Sequence, residues 1–503
     1  MLLRLIEPRS ESVRYVRYIE QMKVSLSIVA ITLLAGVGMG CVRYHAEPLD
    51  AAKTAAQLES RRLDDAGLKK FMEQNAGHQL AEWPKAEWDL ANLTLAAFYY
   101  HPDLAVARAQ WLASEAGVKT AGARPNPTIS FDPSYDTQIP GNYSPWLLPV
   151  TLDIPIETAG KRGKRIAEAE KAAESARFSF ISAAWQIRSG VRSSLQDYRV
   201  AGRRAQLLQH TLATQKKIVD LMQQRFEAGQ IARPDLTVAQ IALGHTQMDL
   251  SDAVSAEAEA RSHLAQALGL SEAALEGVRF KRTSELPEKD LTTQEARDIA
   301  LKSRADILGA LADYAAAEDD LKLQIAKQYP DLHLGPGYAW NNGNAGDNEW
   351  VLGATLEIPI LDQNAGPIAE AQANRRLAAA KFVALQAQVI AAIDRAVAGL
   401  RVAREQLRTG SQLFGAEQQQ QKSAEAQLKA GAGDQLDLLN AQLELDTAQV
   451  TRLDNEVKLQ TALGALEDAV QQPADSFDKA VELVSRLDNQ TEISQDLKSK
   501  HEK

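Results

Sequence analysis

One block of this chain is written twice. Thr151-Leu152-Asp153-Ile154-Pro155-Ile156 returns as Thr355-Leu356-Glu357-Ile358-Pro359-Ile360, and an Ile-Ala-Glu-Ala helix start follows each copy (Ile166–Ala169, Ile368–Ala371). The flanks keep the same register: Asp103 and Asp306, Pro127 and Pro330, Pro133 and Pro336, and Tyr135 and Tyr338 are each 203 positions apart. A whole unit is therefore duplicated. Two half-units of this kind fold as one body around a shared core, which lowers the domain count expected for 503 residues.

Each unit contains two alternating strands. Ile129, Phe131, Pro133 and Tyr135 face one way in the first, and Leu148, Val150, Leu152, Ile154 and Ile156 in the second. The repeat preserves the pattern with Leu332, Leu334, Pro336, Tyr338 and Trp340, then Leu352, Ala354, Leu356, Ile358 and Ile360. Tyr135, Tyr143, Trp146, Tyr338, Trp340 and Trp350 cluster near the strand ends, and the loops Thr137–Pro145 and Asn341–Glu349 are rich in Asn, Gly and Pro. Strands of about ten residues with one apolar face and terminal aromatics suit a transmembrane β-barrel. Four strands cannot close one, because about eight is the minimum and lipid does not tolerate an open edge. Sharing of the barrel between subunits follows from the strand count.

A helical pattern precedes each hairpin, from about Leu90 to Arg124 and from about Thr293 to Gln328. After each hairpin comes a proline-free helical stretch, Gly163 to Ala228 and, past Pro367, on to Ala430, with a reach of roughly 95–100 Å. Ile187, Val191, Leu195 and Tyr198, and Ile390, Ile393, Val397 and Leu400, recur at helical spacing, as in coiled-coil packing. Both stretches end in a matching turn and reverse. Gly229, Asp235, Leu236, Ala239 and Gln240 correspond to Gly431, Asp437, Leu438, Ala441 and Gln442, and the returning helices extend to about Leu268 and Val470.

The amino-terminal end carries a targeting pattern. Lys23 precedes an apolar stretch, Val24 to Gly40, that ends in Gly38-Met39-Gly40 before Cys41, the single cysteine. This reads as a signal peptide cleaved before a lipidated Cys41, with Met22 as the natural start and residues 1–21 as an upstream extension. Gly38 departs from the usual leucine of a lipobox. No disulfide is possible within the chain, and no later apolar run reads as a membrane-spanning helix. The resulting organisation is 1–40 extension and signal, 41–87 amino-terminal segment of mixed polar character, 88–290 first repeat, 291–470 second repeat, and 471–503 polar tail. A formal charge of −10 argues against nucleic acid as a partner.

Together these features resemble the TolC-type outer-membrane efflux channels, the outer-membrane component of tripartite pumps, in their lipoprotein branch. The resemblance runs from about residue 88 to 470. It implies a mainly α fold with a small β part: a homotrimer whose four strands per chain form a shared barrel, and whose helices form a periplasmic tunnel. It also implies a periplasmic adaptor and an inner-membrane transporter as partners, with no cofactor. By resemblance the adaptor-contacting turns are Ala228, Gly229 and Gln230, and Ala430, Gly431 and Ala432. The acidic ring of the entrance falls on Asp437, where a first-turn helix carboxylate is the plainer alternative. Asn440 replaces a second carboxylate present in some relatives. The run Lys161-Arg162-Gly163-Lys164-Arg165 reads as a solvated helix start, although similar runs in the heavy-metal branch tilt the cargo toward metal cations.

The chain is not expected to be an enzyme. Its eight histidines are scattered without metal-ligand spacing, no Gly-rich phosphate loop occurs, and Asp319-Asp320 reads as exposed helix charge. The leading function is a passive efflux duct for toxic solutes or metal ions. The alternatives are the exit channel of a protein-secretion system and a lipidated coiled-coil scaffold without a pore.

Overall fold

The computed structural model describes residues 42–77, 79–135, 137–138, 146–281, 291–341 and 348–473. Residues 1–41, with the signal segment and Cys41, lie outside the described residues, as do Tyr143 and nearly all of the tail. The chain divides between Leu58 and Glu59. In the small first unit the described part is a stretch without regular structure leading into helix α1 (Ala51–Glu59), which begins in this unit and which Asp50 caps through Ala52 N at 2.9 Å.

In the second unit the duplication is visible element by element. Helices α3 (Leu90–Tyr100) and α4 (Pro102–Ala121) match α7 (Thr293–Ser303) and α8 (Ala305–Ala326). Strands β1 (Thr128–Phe131), β2 (Ser134–Tyr135) and β3 (Trp146–Ile156) match β4 (Leu332–Asn341) and β5 (Glu349–Leu356). Long helices α5 (Lys161–Glu227) and α9 (Ala365–Lys429) have 67 and 65 residues, and α6 (Arg233–Leu268) and α10 (Gln435–Val470) have 36 each.

Three boundaries differ from the sequence reading. The continuous helix expected from Leu90 is two helices, because Pro102 takes the first position of α4, where its missing N–H costs nothing. Its counterpart breaks at Arg304 without a proline. Arg304 adopts an extended backbone and donates from Nη1 to the carbonyls of Asp468 and Ala469, at 3.1 and 2.5 Å, closing the end of α10. The last strand stops at Leu356, so Ile358 and Ile360 lie beyond the sheet and remain exposed.

Two apolar cores form, one per repeat, where a shared one was expected. Leu93, Val191, Leu195, Leu264 and Leu268 centre the first, and Ile307, Val389, Ile393, Leu463 and Val470 the second. Each such side chain, fully buried, stabilises the fold by about 1.5–3 kcal/mol. Between them runs a charged seam. Glu467 on α10 receives Arg188 and Arg192 of α5 at 3.0 and 2.5 Å, and Asp468 receives Arg192 at 2.7 Å and Ser189 at 2.8 Å.

The segment before residue 88 is more structured than its polar composition suggests. Helix α2 (Ala66–Ala76), capped by Asp65, inserts Leu68 and Met72 fully into the first core, beside Trp88. Arg61 clamps the loop ends, with Nη1 donating to Tyr100 O at 2.7 Å and Gly269 O at 3.0 Å. Among the described residues the second repeat has no counterpart of this addition. One 18-residue window of α9 reaches a mean hydropathy of 1.4 with 11% of it buried, so an apolar window long enough to span does occur after Cys41. It belongs to a 65-residue helix paired with α10.

Candidate functional site

The sheet is antiparallel, in the order β1-β3-β4-β5, with β2 continuing β1 along β3. Pro133 lies in the gap between β1 and β2, where a missing donor breaks the ladder. Register aligns the apolar positions across every pair: Ile129 with Leu152, Val150 with Tyr338, Ile154 with Leu334, Leu334 with Ala354, and Pro336 with Leu352. The result is one continuous apolar face. Leu352 is 78% exposed on it and Trp350 84%, so no element among the described residues covers that end. The opposite face carries Thr151, Asp153, His333, Gly335, Gly353 and Thr355. His333 Nδ1 lies 3.0 Å from an Asp153 carboxylate oxygen. Both outer edges, β1–β2 and β5, lack a partner strand among the described residues. The aromatics gather at the loop end, with Tyr135 against Trp146 and Tyr338 against Trp340 and Trp350 at centroid distances of 4.6–5.0 Å.

At the other end of the sheet the chain passes into the long helices through left-handed residues, Gly160 (φ 68°) and Asn364 (φ 59°), types that tolerate this backbone. The basic run here is not a solvated helix start. Arg162 Nε donates to Gly122 O at 2.7 Å, and Arg165 Nε to Ala121 O at 2.7 Å, so both satisfy carbonyls left orphaned at the end of α4. Arg165 also pairs with Glu157 at 2.7 Å. Lys161, almost fully buried, donates from Nζ to Tyr329 O at 2.6 Å and Asp331 Oδ1 at 2.8 Å. Burial pushes the Asp331 carboxyl up. The hydrogen bonds from Lys161 and from Thr158 N outweigh this and hold it below the usual range. Asn364 does the corresponding work in the second repeat, donating from Nδ2 to Gln324 O at 2.7 Å.

Asp319 and Asp320 also depart from their sequence reading. Asp319 pairs with Lys322 at 2.7 Å with a side chain only 17% exposed, and Asp320 accepts from Gln324 Nε2 at 2.7 Å. Opposite them, burial first and then the Asp320 charge push the Glu168 carboxyl up.

The far ends of the long helices form two turns. Gly229 (φ 69°) and Gly431 (φ 71°) supply the left-handed residue each reversal needs. Gln230 N bonds to Arg225 O at 2.8 Å, and Ala432 N to Gln427 O at 2.9 Å. Ala228, Gly229 and Gln230, and likewise Ala430, Gly431 and Ala432, are exposed. The start of α10 and the last turn of α5 meet through Arg225 and Asp434, whose hydrogen bond draws the Asp434 carboxyl below its ordinary value.

The two first-turn aspartates behave differently. Helix α6 has Ala232 at its cap position, so Asp235 folds back to accept from Ala232 N at 3.2 Å. Helix α10 has Asp434 there, accepting from Leu436 N at 3.3 Å, and Asp437 is released from capping. Its side chain is exposed, on the same face as Asn440, with no hydrogen bond among the described residues. Sequence reasoning singled out Asp437 but missed Arg225 and Asp434. The signal was Asp434 standing where the first turn has Ala232.

Deeper along the helices, Asp446 of α10 is buried against α5. It lies 2.9 Å from His210 Nδ1 and accepts from Gln442 Nε2 at 3.0 Å. Among the described residues no group of three or more His, Cys, Asp or Glu is placed to hold a metal ion.

A one-sided apolar sheet with open edges, continued into helix hairpins that end in a paired, exposed turn, defines a membrane channel protein with a long helical body. The outer membrane efflux protein family model matches residues 97–270 and 296–470, the two halves of the duplication, and the chain belongs to that family. It is 27% identical over 363 residues to the cobalt-zinc-cadmium resistance protein CzcC of Cupriavidus metallidurans, covering 70% of this chain and 82% of the relative. Its fold is shared with the outer membrane protein VceC of Vibrio cholerae (TM-score 0.63, 17% identity, 78% of this chain and 100% of that one). The Campylobacter jejuni CmeC outer membrane channel has the same fold (TM-score 0.63, 14% identity, 89% of this chain and 97% of that one).

Proposed function

We propose that the protein is the passive outer-membrane duct of a tripartite pump. Three copies bring twelve strand positions, four from each chain, and the open edges pair between neighbours to close a barrel. The observation that carries this reading is the sheet: apolar on one face, unpaired at both edges among the described residues, and continuous with the long helices. The helices extend into the periplasm. The exposed residues of α9, including Leu377, Val383 and Val402, are then covered by neighbouring helices. Cys41 is lipidated and holds the chain at the periplasmic leaflet.

At the far end the exposed turns Ala228–Gln230 and Ala430–Ala432 meet a periplasmic adaptor, which links the duct to an inner-membrane transporter. The transporter supplies the energy, and the duct catalyses nothing. Three Asp437 carboxylates around the axis attract cations and repel anions, because a ring of like charges at a constriction raises the local counter-ion concentration. Together with the relative's resistance to cobalt, zinc and cadmium, this favours divalent metal cations as cargo.

The test is single-channel conductance of the purified protein in planar bilayers, with intact mass measured beside it. Discrete conductance from a three-chain assembly, with weaker cation preference in Asp437→Ala, is expected. A monomer without conductance would sink the duct. Mass analysis of the mature amino terminus checks a diacylated Cys41, and tolerance of cells to cobalt, zinc and cadmium checks the cargo.

A further inference from the structure

At the helix end of the sheet lies an open cleft of about 810 Å³. Ile325 and Tyr329 at the end of α8, with Leu332 and Leu356, form its apolar lining, and Lys164 and Lys322 are its charged residues. Leu332 and Leu356 are register partners on the apolar face of the sheet, so the cleft opens directly onto the surface that faces lipid.

The two lysines are not equivalent. Lys322 is neutralised by Asp319 at 2.7 Å and Glu318 at 3.5 Å. Lys164 has no ion pair or side-chain hydrogen bond among the described residues, although every other cation of its run is engaged. Lys161 is held by Asp331, Arg162 by Gly122 O and Arg165 by Glu157. Lys164 is half-buried and lines the cleft together with Ile325, Leu332 and Leu356. An ammonium so placed gains most from an anion that also brings hydrocarbon to the lining. Its depth, where strands give way to helices, is that of the phosphate layer.

We propose that this cleft binds one phospholipid of the periplasmic leaflet through an anionic headgroup. The phosphate sits on Lys164, and an acyl chain lies along Ile325, Leu332 and Leu356. The proposal rests on the reading that the sheet spans the outer membrane. Phosphatidylglycerol supplies the required chemistry, and basic pockets beside membrane-spanning elements hold such headgroups.

The test is native mass spectrometry of the intact detergent-purified assembly, titrated with phosphatidylglycerol and separately with phosphatidylcholine. Wild type, Lys164→Arg and the exposed-site control Lys216→Glu are expected to retain phosphatidylglycerol preferentially. Lys164→Glu should lose about fivefold or more of that retention, the effect of one interfacial lysine. Equal retention by wild type and Lys164→Glu overturns the proposal. So does a Lys164→Glu protein that loses subunits while keeping its lipid per chain, because the cleft would then be covered by a neighbouring copy. Flotation of the unlipidated Cys41→Ser protein with liposomes is measured alongside, because an acylated Cys41 would float without any spanning sheet. Failure to float would remove the membrane-spanning sheet itself, whereas flotation with equal lipid retention removes only the lipid site.

Discussion

Asp434 accepts two hydrogen bonds from Arg225 Nη2, at 2.5 and 2.6 Å, and so fastens the cap of α10 to the last turn of α5. The bond joins the tips of the two helix hairpins, where the proposed entrance lies. It stands beside Asp437, which Asp434 releases from capping by accepting from Leu436 N, and whose charge also acts on Arg225.

Breaking this fastening should loosen the entrance. Arg225→Ala is expected to raise mean single-channel conductance at neutral pH. In wild type the Arg225 hydrogen bond keeps the Asp434 carboxyl below its ordinary value. The link therefore persists above and through the usual carboxylate range near about 4, and is lost only as pH falls through the lower folded value. Conductance recorded from neutral to strongly acidic pH should rise late in wild type and show no such step in Arg225→Ala.

The two first-turn aspartates should separate stability from selectivity. Asp235→Ala removes a cap and is expected to cost about 0.5–1 kcal/mol in denaturant unfolding, with ion selectivity unchanged. Asp437→Ala should do the reverse, leaving stability within error and lowering cation preference. A stability loss at Asp437 with unchanged selectivity would return that residue to a capping role.

Adjacent positions on β4 face opposite media. Leu334→Arg puts a charge on the apolar face close to its helix end and is expected to cost up to about 1 kcal/mol at this interfacial depth, lowering the protein's share in outer-membrane fractions. His333→Arg, one residue away on the polar face, should assemble normally and keep its pairing with Asp153. Similar fractionation of both variants would contradict the one-sided sheet.

Lys161 and Asp331 hold the sheet to the helices. Since the net effect of their environment is to depress the Asp331 pKa, their stabilisation is present above the ordinary carboxylate range and is lost as pH falls through the lower folded value. Lys161→Met leaves a partly buried carboxylate with only the Thr158 amide. Thermal unfolding from pH 7 downward should show the variant less stable at neutrality. The wild type should lose its advantage at a lower pH than the variant's own carboxyl titration.

Much of the architecture was legible because it follows from periodicity. The alternation at Leu148–Ile156 and Leu332–Trp340 assigned the faces that the register then paired, and the absence of proline gave the long helices. What escaped notice depends on partners distant in sequence. Arg304 ends a helix by reaching carbonyls of residues 468 and 469, and Arg162 and Arg165 close one that ends some forty positions earlier. Helix α2 is short, and its buried Leu68 and Met72 face a core that the first repeat creates later in the chain. Asp437 could be named from its turn, but the Arg225–Asp434 link beside it exists only because the fold brings the two helix ends together.

The unpaired strand edges also bear on how the protein reaches its place. A lone polypeptide carries two rows of backbone donors and acceptors that hydrocarbon would leave unmet. For the proposed three-chain barrel, entry into the bilayer is then a collective event, with a steep dependence on how many chains are present at once. If three chains close the barrel as proposed, a cell that halves expression is expected to lose more than half of its ducts.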